Sequence, residues 1–426
     1  MGFLALCGLV VLAASSLYST PASAAGKTEG VPIGDLVFRP SVNVVLVYDS
    51  NVYRAQLNPE ADFGLAVRPQ FEFVYPGENF RWELSTYWRG FTYFNVNRGP
   101  GINHDDLRLV NEFGVRTSVD LNRTGKFGFK ISPQLYNRPS SAGWGDGDED
   151  GARAAGDNVE QDLGVGVPIA IALRPTGAFH IKPGGEWNWA RSYYPRRLFD
   201  PDPVVLGNRH EVSGKLGVDW RFFPRSHIVF TGQLGRILWG PYDEDTAQHG
   251  TDPQLPGTFF RALLGLRGDI TKKVSFMAMG GYGGVYYGED NESSNLTGPD
   301  GLLARVEFAL RPVLTQRLAL GFRRDFLFRY FADNIAETQG YFKYSGLFFG
   351  RLAPNASFSY TYRQIQGWLD RQEHQWAAGG GIKVIITPWL DVAVDYRFSA
   401  VNPSSDDKGE YIDNRVTLRI SLGFDD

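Results

Sequence analysis

The chain has 426 residues, of which 50 are glycine, 14% are aromatic and only 21% are charged. Its formal net charge is −4, which gives no sign of the basic surface that a nucleic-acid binder needs. A slightly negative mean hydropathy excludes a helical membrane bundle but not a β-barrel, whose interior is polar.

The only cysteine, Cys7, lies in an apolar N-terminal run that continues through Val10, Val11 and Leu12 to Ala22-Ser23-Ala24. This reads as a secretory signal over residues 1–25, although no Lys or Arg precedes the apolar run. The mature part, 26–426, is then free of disulfides and of thiol chemistry. No later stretch is apolar for long enough to form a transmembrane helix.

From there on, apolar and polar residues alternate with a period of two, the signature of strands. Strands are predicted at Leu36–Tyr48, Phe63–Tyr75, Phe80–Phe94, Leu107–Leu121, Phe127–Leu135, Asp162–Leu173 and Phe179–Trp189. The middle of the chain predicts Arg209–Phe222, His227–Leu238, Phe259–Asp269, Val274–Tyr287, Leu302–Val313 and Arg317–Phe331. The last are Tyr341–Leu352, Ser357–Trp368, Gln375–Ile386, Leu390–Val401 and Tyr411–Phe424. In the final strand Ile412, Val416, Leu418, Ile420 and Leu422 occupy one face, and Asp413, Arg415, Thr417, Arg419 and Ser421 the other.

Connections alternate between short ones, such as 122–126, 224–226, 271–273 and 353–355, and long ones, such as 137–161, 192–208 and 240–258. This asymmetry, with a mean strand-plus-connection length in the porin range, predicts one antiparallel transmembrane β-barrel of about 18 strands, with 16 as the alternative. Such a barrel belongs in the outer membrane of a Gram-negative bacterium. A secreted sandwich or propeller is the competing fold, but its strands are shorter, about 5–6 residues. Trp82, Trp88, Tyr75, Trp187, Trp189, Trp220, Trp239, Trp368, Trp376 and Trp389 fall near strand ends, as interfacial aromatic belts require. The glycine-rich stretches 278–284 and 377–381 read as bends or close approaches, and Arg324 falls on the apolar parity.

The polar parity is rich in arginine. Arg68, Arg81, Arg89, Arg108, Arg116, Arg221, Arg267, Arg305, Arg311, Arg323, Arg363, Arg397, Arg415 and Arg419 are assigned to the lumen and to a substrate path, opposed by fewer acids such as Glu72, Glu112, Asp219, Glu307 and Asp395. An excess of cations would lower the barrier for anions. The competing reading is a self-neutralising ladder of cross-strand ion pairs that braces the wall.

Asp146, Asp148, Asp150 and Asp157 have the oxygen spacing of a calcium loop, with Asp at the final position. No flanking helices accompany it, so an acidic surface loop is the plainer reading, and no cofactor is expected beyond this weak calcium candidate. The six histidines are scattered, and no nucleophile elbow, zinc helix or phosphate loop appears, so no enzyme is expected.

Tyr48-Asp49-Ser50-Asn51-Val52-Tyr53-Arg54, followed by Val67-Arg68-Pro69, resembles the opening of the β-barrel porin 2 group and related barrels encoded with exopolysaccharide systems. On residues alone, Asp49 and Asn51 are Asx residues starting a loop. The resemblance implies transport of an exopolysaccharide, an acidic one given the arginines, with a periplasmic polysaccharide-export protein as partner. Outer-membrane lipid and the barrel-assembly machinery are the other expected partners. A general or anion-selective diffusion porin carrying small anions is the alternative, and a non-conducting structural or adhesin barrel a third. The chain departs from the usual aromatic ending, because Asp425 and Asp426 follow Phe424.

Overall fold

The computed structural model describes residues 30–51, 61–94, 110–139, 161–194, 204–239, 256–287, 300–327, 334–366, 371–403 and 410–424. The expected signal segment lies outside them. All regular structure among the described residues is β, in twenty strands of one antiparallel sheet. These are β1 (Val31–Ile33), β2 (Leu36–Asp49), β3 (Asp62–Tyr75), β4 (Phe80–Tyr93), β5 (Val110–Leu121), β6 (Phe127–Ile131), β7 (Gln134–Pro139), β8 (Gln161–Thr176), β9 (Phe179–Tyr194) and β10 (Val204–Phe223). They continue with β11 (Ser226–Trp239), β12 (Gly257–Asp269), β13 (Val274–Tyr287), β14 (Asp300–Leu310), β15 (Gln316–Leu327), β16 (Asn334–Gly346), β17 (Leu352–Gln366), β18 (Arg371–Thr387), β19 (Leu390–Pro403) and β20 (Tyr411–Gly423).

Apart from β6 and β7, each strand pairs with its neighbours in sequence, and β2 pairs with β20, so the sheet closes on itself. β1 is a short hairpin arm on β2. β6 and β7 keep one register against both β5 and β8, so they are two halves of a single wall strand. Leaving out β1 and counting β6 and β7 as one gives the 18 wall strands of a closed barrel.

The break between β6 and β7 has a local cause. Pro133 has no N–H for β5, and Pro168, in β8, has none for the β6–β7 strand. One-way bonds remain: Thr117 N–H donates to Pro133 O at 3.0 Å, and Ser132 N–H to Pro168 O at 3.0 Å. A second difference from expectation lies at residues 347–351. The apolar run Leu347-Phe348-Phe349 imitates a strand, but Phe349 (φ 52°) and Gly350 (φ 68°) are both left-handed and make a tight turn. The strand expected at Tyr341–Leu352 is therefore β16, and Ala353–Asn355, expected as a turn, belongs to β17.

Alternation separates the two faces sharply. Leu302 is 70% exposed and points outward, whereas its neighbour Leu303 is 2% exposed and points inward. The outward row includes Leu46, Leu234, Leu264, Leu320, Phe358 and Val394, all exposed. In lipid every backbone polar group must be satisfied within the wall, so a closed sheet with a greasy exterior is a membrane-spanning form. Aromatics sit outward at both ends: Tyr48, Phe63, Tyr282, Tyr286 and Trp376 at one, Phe80, Trp220, Phe222, Phe223 and Trp389 at the other. From Phe63 to Tyr75 is roughly 12 steps of about 3.4 Å tilted by about 40°, a rise of roughly 30 Å. Trp368 lies outside the described residues.

The seam where the first and last wall strands meet is locked by buried polar contacts. Arg415 donates to Asp49 Oδ2 at 2.8 Å, and Tyr93 from β4 donates to the same oxygen at 3.0 Å. Asn51 N–H donates to Asp49 Oδ1 at 2.9 Å, and Asn51 Nδ2 donates to Ile412 O at 3.1 Å. Ser50 N–H donates to Asn414 O, and Asn414 N–H donates back to Ser50 Oγ. Asp49 and Asn51 are thus Asx residues that also weld the barrel shut.

Asp49→Ala leaves the buried Arg415 without its main carboxylate, and should cost about 3–5 kcal/mol. The expected result is a lower temperature for loss of the compact band on heated gels. Asp49→Leu combined with Arg415→Met should recover most of that loss.

Candidate functional site

The inner wall is the candidate site. The strand registers place the following residues on inward positions: Arg68 on β3, Arg81 and Arg89 on β4, Arg116 on β5, Arg221 on β10 and Arg267 on β12. Arg305 on β14, Arg323 on β15, Arg363 on β17, Arg397 on β19, and Arg415 and Arg419 on β20 share that face. Arg108 lies outside the described residues, as do Asp146, Asp148, Asp150 and Asp157. Arg311 is a correction: it follows the end of β14 and sits exposed on the short-turn rim, because Pro312 ends the strand there. Arg324 points outward and donates to Thr338 Oγ1 at 3.3 Å.

Much of the inner wall is a ladder of ion pairs. Arg39 meets Glu72 at 3.3 Å, Arg89 meets Glu112 at 3.5 Å, and Lys383 meets Asp391 at 3.0 Å. Arg81 pairs with Glu83, Lys215 with Glu186, and Arg267 with Asp219, which also contacts His227 Nδ1 at 2.5 Å. Glu337 on β16 is buried and holds two cations, Arg323 at 2.7 Å and Arg363 at 2.9 Å. Arg68 stacks over the Tyr87 ring, 4.5 Å from its centroid. Asp49, Glu186, Glu337, Glu373 and Asp413 are inward carboxylates that the sequence pairing left out, so the overall cation excess is smaller than the arginine roster suggests. Their odd–even parity was the available signal.

One sector departs from this balance. A concave niche of about 660 Å³ on the inner face of β14–β20 is lined by Arg305, Arg323, Lys343, Arg397, Arg415 and Arg419, against only Glu307 and Asp395. Two guanidinium pairs there sit directly opposite across strands, Arg305 against Arg323 and Arg397 against Arg415. Like charges in that position destabilise a sheet. Arg323 and Arg415 are each held by a carboxylate, whereas Arg305 has no carboxylate partner among the described residues. Asn355, Ser357, Ser359, Gln339 and Thr417 supply neutral polar groups around them. Room for the niche comes partly from glycine. Gly321 faces Tyr341 across β15 and β16, and a Cβ on Gly321 would stand 2.1 Å from the ring. The ring therefore lies flat on the wall, with its hydroxyl donating to Glu307 at 2.7 Å.

Greasy outside, charged inside and closed at 18 strands, the chain is an outer-membrane β-barrel of the porin type, wide enough for an aqueous path. No family model matches it, and no curated protein does. Solved structures resemble it in shape. A copper transporter, OprC, aligns with a TM-score of 0.51 at 12% identity, covering 89% of this chain and 64% of that one. OpdO of Pseudomonas aeruginosa aligns at 0.50 and 12% identity, covering 91% and 97%. OccAB3 of Acinetobacter baumannii gives 0.49 at 9% identity, covering 91% and 99%. At such identities the likeness is one of fold.

Glu337→Ala would strand two guanidiniums that share one buried carboxylate. It should lower unfolding stability in urea by about 3–5 kcal/mol. Glu337→Gln, which keeps an acceptor, should cost less.

Proposed function

We propose that the protein is an anion-preferring diffusion channel of the outer membrane, passing small carboxylate- or phosphate-bearing solutes. The observation that carries this reading is the cation-rich niche in which Arg305, with no carboxylate partner among the described residues, faces Arg323 across the strands. Opposed guanidiniums are unfavourable when the pore holds only water, and an anion between them relieves that repulsion. Entry is therefore favoured, while the neighbouring ion-pair ladder keeps each site weak enough for release. No catalytic step is part of this reading.

Export of an exopolysaccharide rests on the resemblance of the Tyr48–Arg54 segment. Asp49 and Asn51 of that segment are occupied in closing the barrel, so the resemblance supports the architecture and leaves cargo to the lumen. A lumen braced by many cross-strand ion pairs fits small anions, and the diffusion reading therefore leads.

Planar-bilayer recording tests it. Under a tenfold gradient of potassium chloride, the reversal potential should show preference for chloride. Arg305→Glu combined with Arg397→Glu should lower the anion-to-cation permeability ratio several-fold or invert it. Cation preference in the unaltered channel, or a ratio indifferent to these substitutions, would overturn the reading, and absence of conductance would leave a structural barrel in its place. A deletion strain that loses surface polysaccharide while keeping small-anion uptake would restore the export reading.

A further inference from the structure

The short-turn end of the barrel carries a second charged surface, unrelated to the lumen. On the arc from β12 to β20 the ladder runs on into the turns, two bonds joining turn to turn and two joining a turn to the end of the next strand. Arg311 N–H donates to Lys273 O at 2.6 Å, Leu347 N–H to Thr315 O at 2.8 Å, Ile385 N–H to Arg351 O at 2.8 Å and Gly423 N–H to Trp389 O at 2.9 Å. These turns follow one another around the rim and form a ledge. Its segments 270–273, 311–315, 347–351 and 388–389 contain Lys272, Lys273, Arg311 and Arg351 and no Asp or Glu. All four cations are exposed. Between them stand exposed apolar tips: Leu314 at 99%, Phe349 at 95%, with Ile270, Val313 and Trp389 about half exposed.

Cations interleaved with uncovered apolar tips match the boundary between lipid headgroups and acyl chains. The height of the wall places the ledge there. β14, β15 and β16 have 11, 12 and 13 residues. Tilted by about 40°, such strands rise roughly 26–31 Å, little more than the hydrocarbon band of an outer-membrane barrel. Turns of a few residues cannot then reach far beyond the headgroups. Short turns of such barrels face the periplasm, so the leaflet concerned is the inner one.

We infer that this ledge is a binding surface for anionic phospholipid headgroups, with Lys272, Lys273, Arg311 and Arg351 receiving the phosphates while Leu314, Phe349 and Trp389 enter the acyl boundary. The inference is independent of what the lumen carries. Each phosphodiester meets a cation that has no acid beside it in its own turn, and the apolar tips leave water. Among the described residues, Asp269 and Asp391 are the strand-end acids flanking these turns, and Asp391 is engaged by Lys383 at 3.0 Å.

The test uses the full-length protein in nanodiscs of phosphatidylcholine with one-fifth phosphatidylglycerol. Native mass spectrometry would count the lipids retained per barrel. Phosphatidylglycerol should be retained above its share of the disc, and this enrichment should fall in high salt. The combined variant K272Q, K273Q, R311Q and R351Q should lose it, each neutralised cation weakening retention about fivefold. Lys126→Gln, on the opposite side of the rim, serves as the control and should retain the enrichment. No enrichment in the unaltered protein, or equal enrichment in the combined variant, would overturn the proposal. Low and high salt can be compared on the unaltered protein first, so that the test does not depend on any variant folding. Displacement of the ledge's Trp389 fluorescence by an acidic peptide but not by phosphatidylglycerol vesicles would also overturn it, in favour of a protein partner.

Discussion

The structure depends on one constraint: a backbone in lipid has no water to bond with, so every rung of the ladder must find a partner in the chain itself. A sheet meets that demand only by closing, and closure here is the pairing of β2 with β20, from Ser41 opposite Gly423 to Asp49 opposite Arg415. The ion pair at the top of this seam is buried on both sides, with side-chain exposures of 7% and 2%. A pair so dry is held less by net stabilisation than by the penalty for separating it. It fixes register as well, because a slip of one residue would turn Asp49 to the lipid and Tyr48 to the lumen.

Once the wall is closed, parity does the rest. The same alternation that gives lipid a surface of Leu, Val and Phe gives water a surface of Arg, Glu, Tyr and Ser. Most inner charges neutralise each other across neighbouring strands, which stiffens the wall and leaves little field. The field is concentrated where the balance fails, on β14–β20, and there Gly321 opposite Tyr341 keeps the wall thin. Selectivity and stability therefore compete for the same side chains, Glu337 and Asp49 being committed to stability and Arg305 to the lumen.

Fold class was legible in the sequence because period-two patterning is local. Val274–Tyr287 was readable to its boundaries, since the glycines within it do not disturb the parity of Phe276, Ala278, Tyr282 and Tyr286. The segment 347–351 was not, because three apolar residues in a row carry no parity, and only the left-handed backbone at Phe349 and Gly350 reveals a turn. Partner choice was illegible for a different reason. That Arg363 and Arg323 share Glu337, or that Arg415 meets Asp49, depends on register between strands, and sequence gives the face of a residue but not its opposite number. The two prolines at 133 and 168 were visible as residues, yet their alignment across β6, β7 and β8 exists only once those strands are paired. The outward Arg324 was visible as an exception, but its partner Thr338 was not.

The seam also orders the life of the chain. Asp49 and Arg415 lie 366 residues apart, so their contact closes nearly the longest loop the molecule can form. Nothing synthesised before β20 can complete the wall, and until it arrives β2 and β19 each present an open edge able to pair with foreign strands. The cylinder is therefore finished in a single late event, and biogenesis must shelter two sticky borders for the whole time that translation and translocation take.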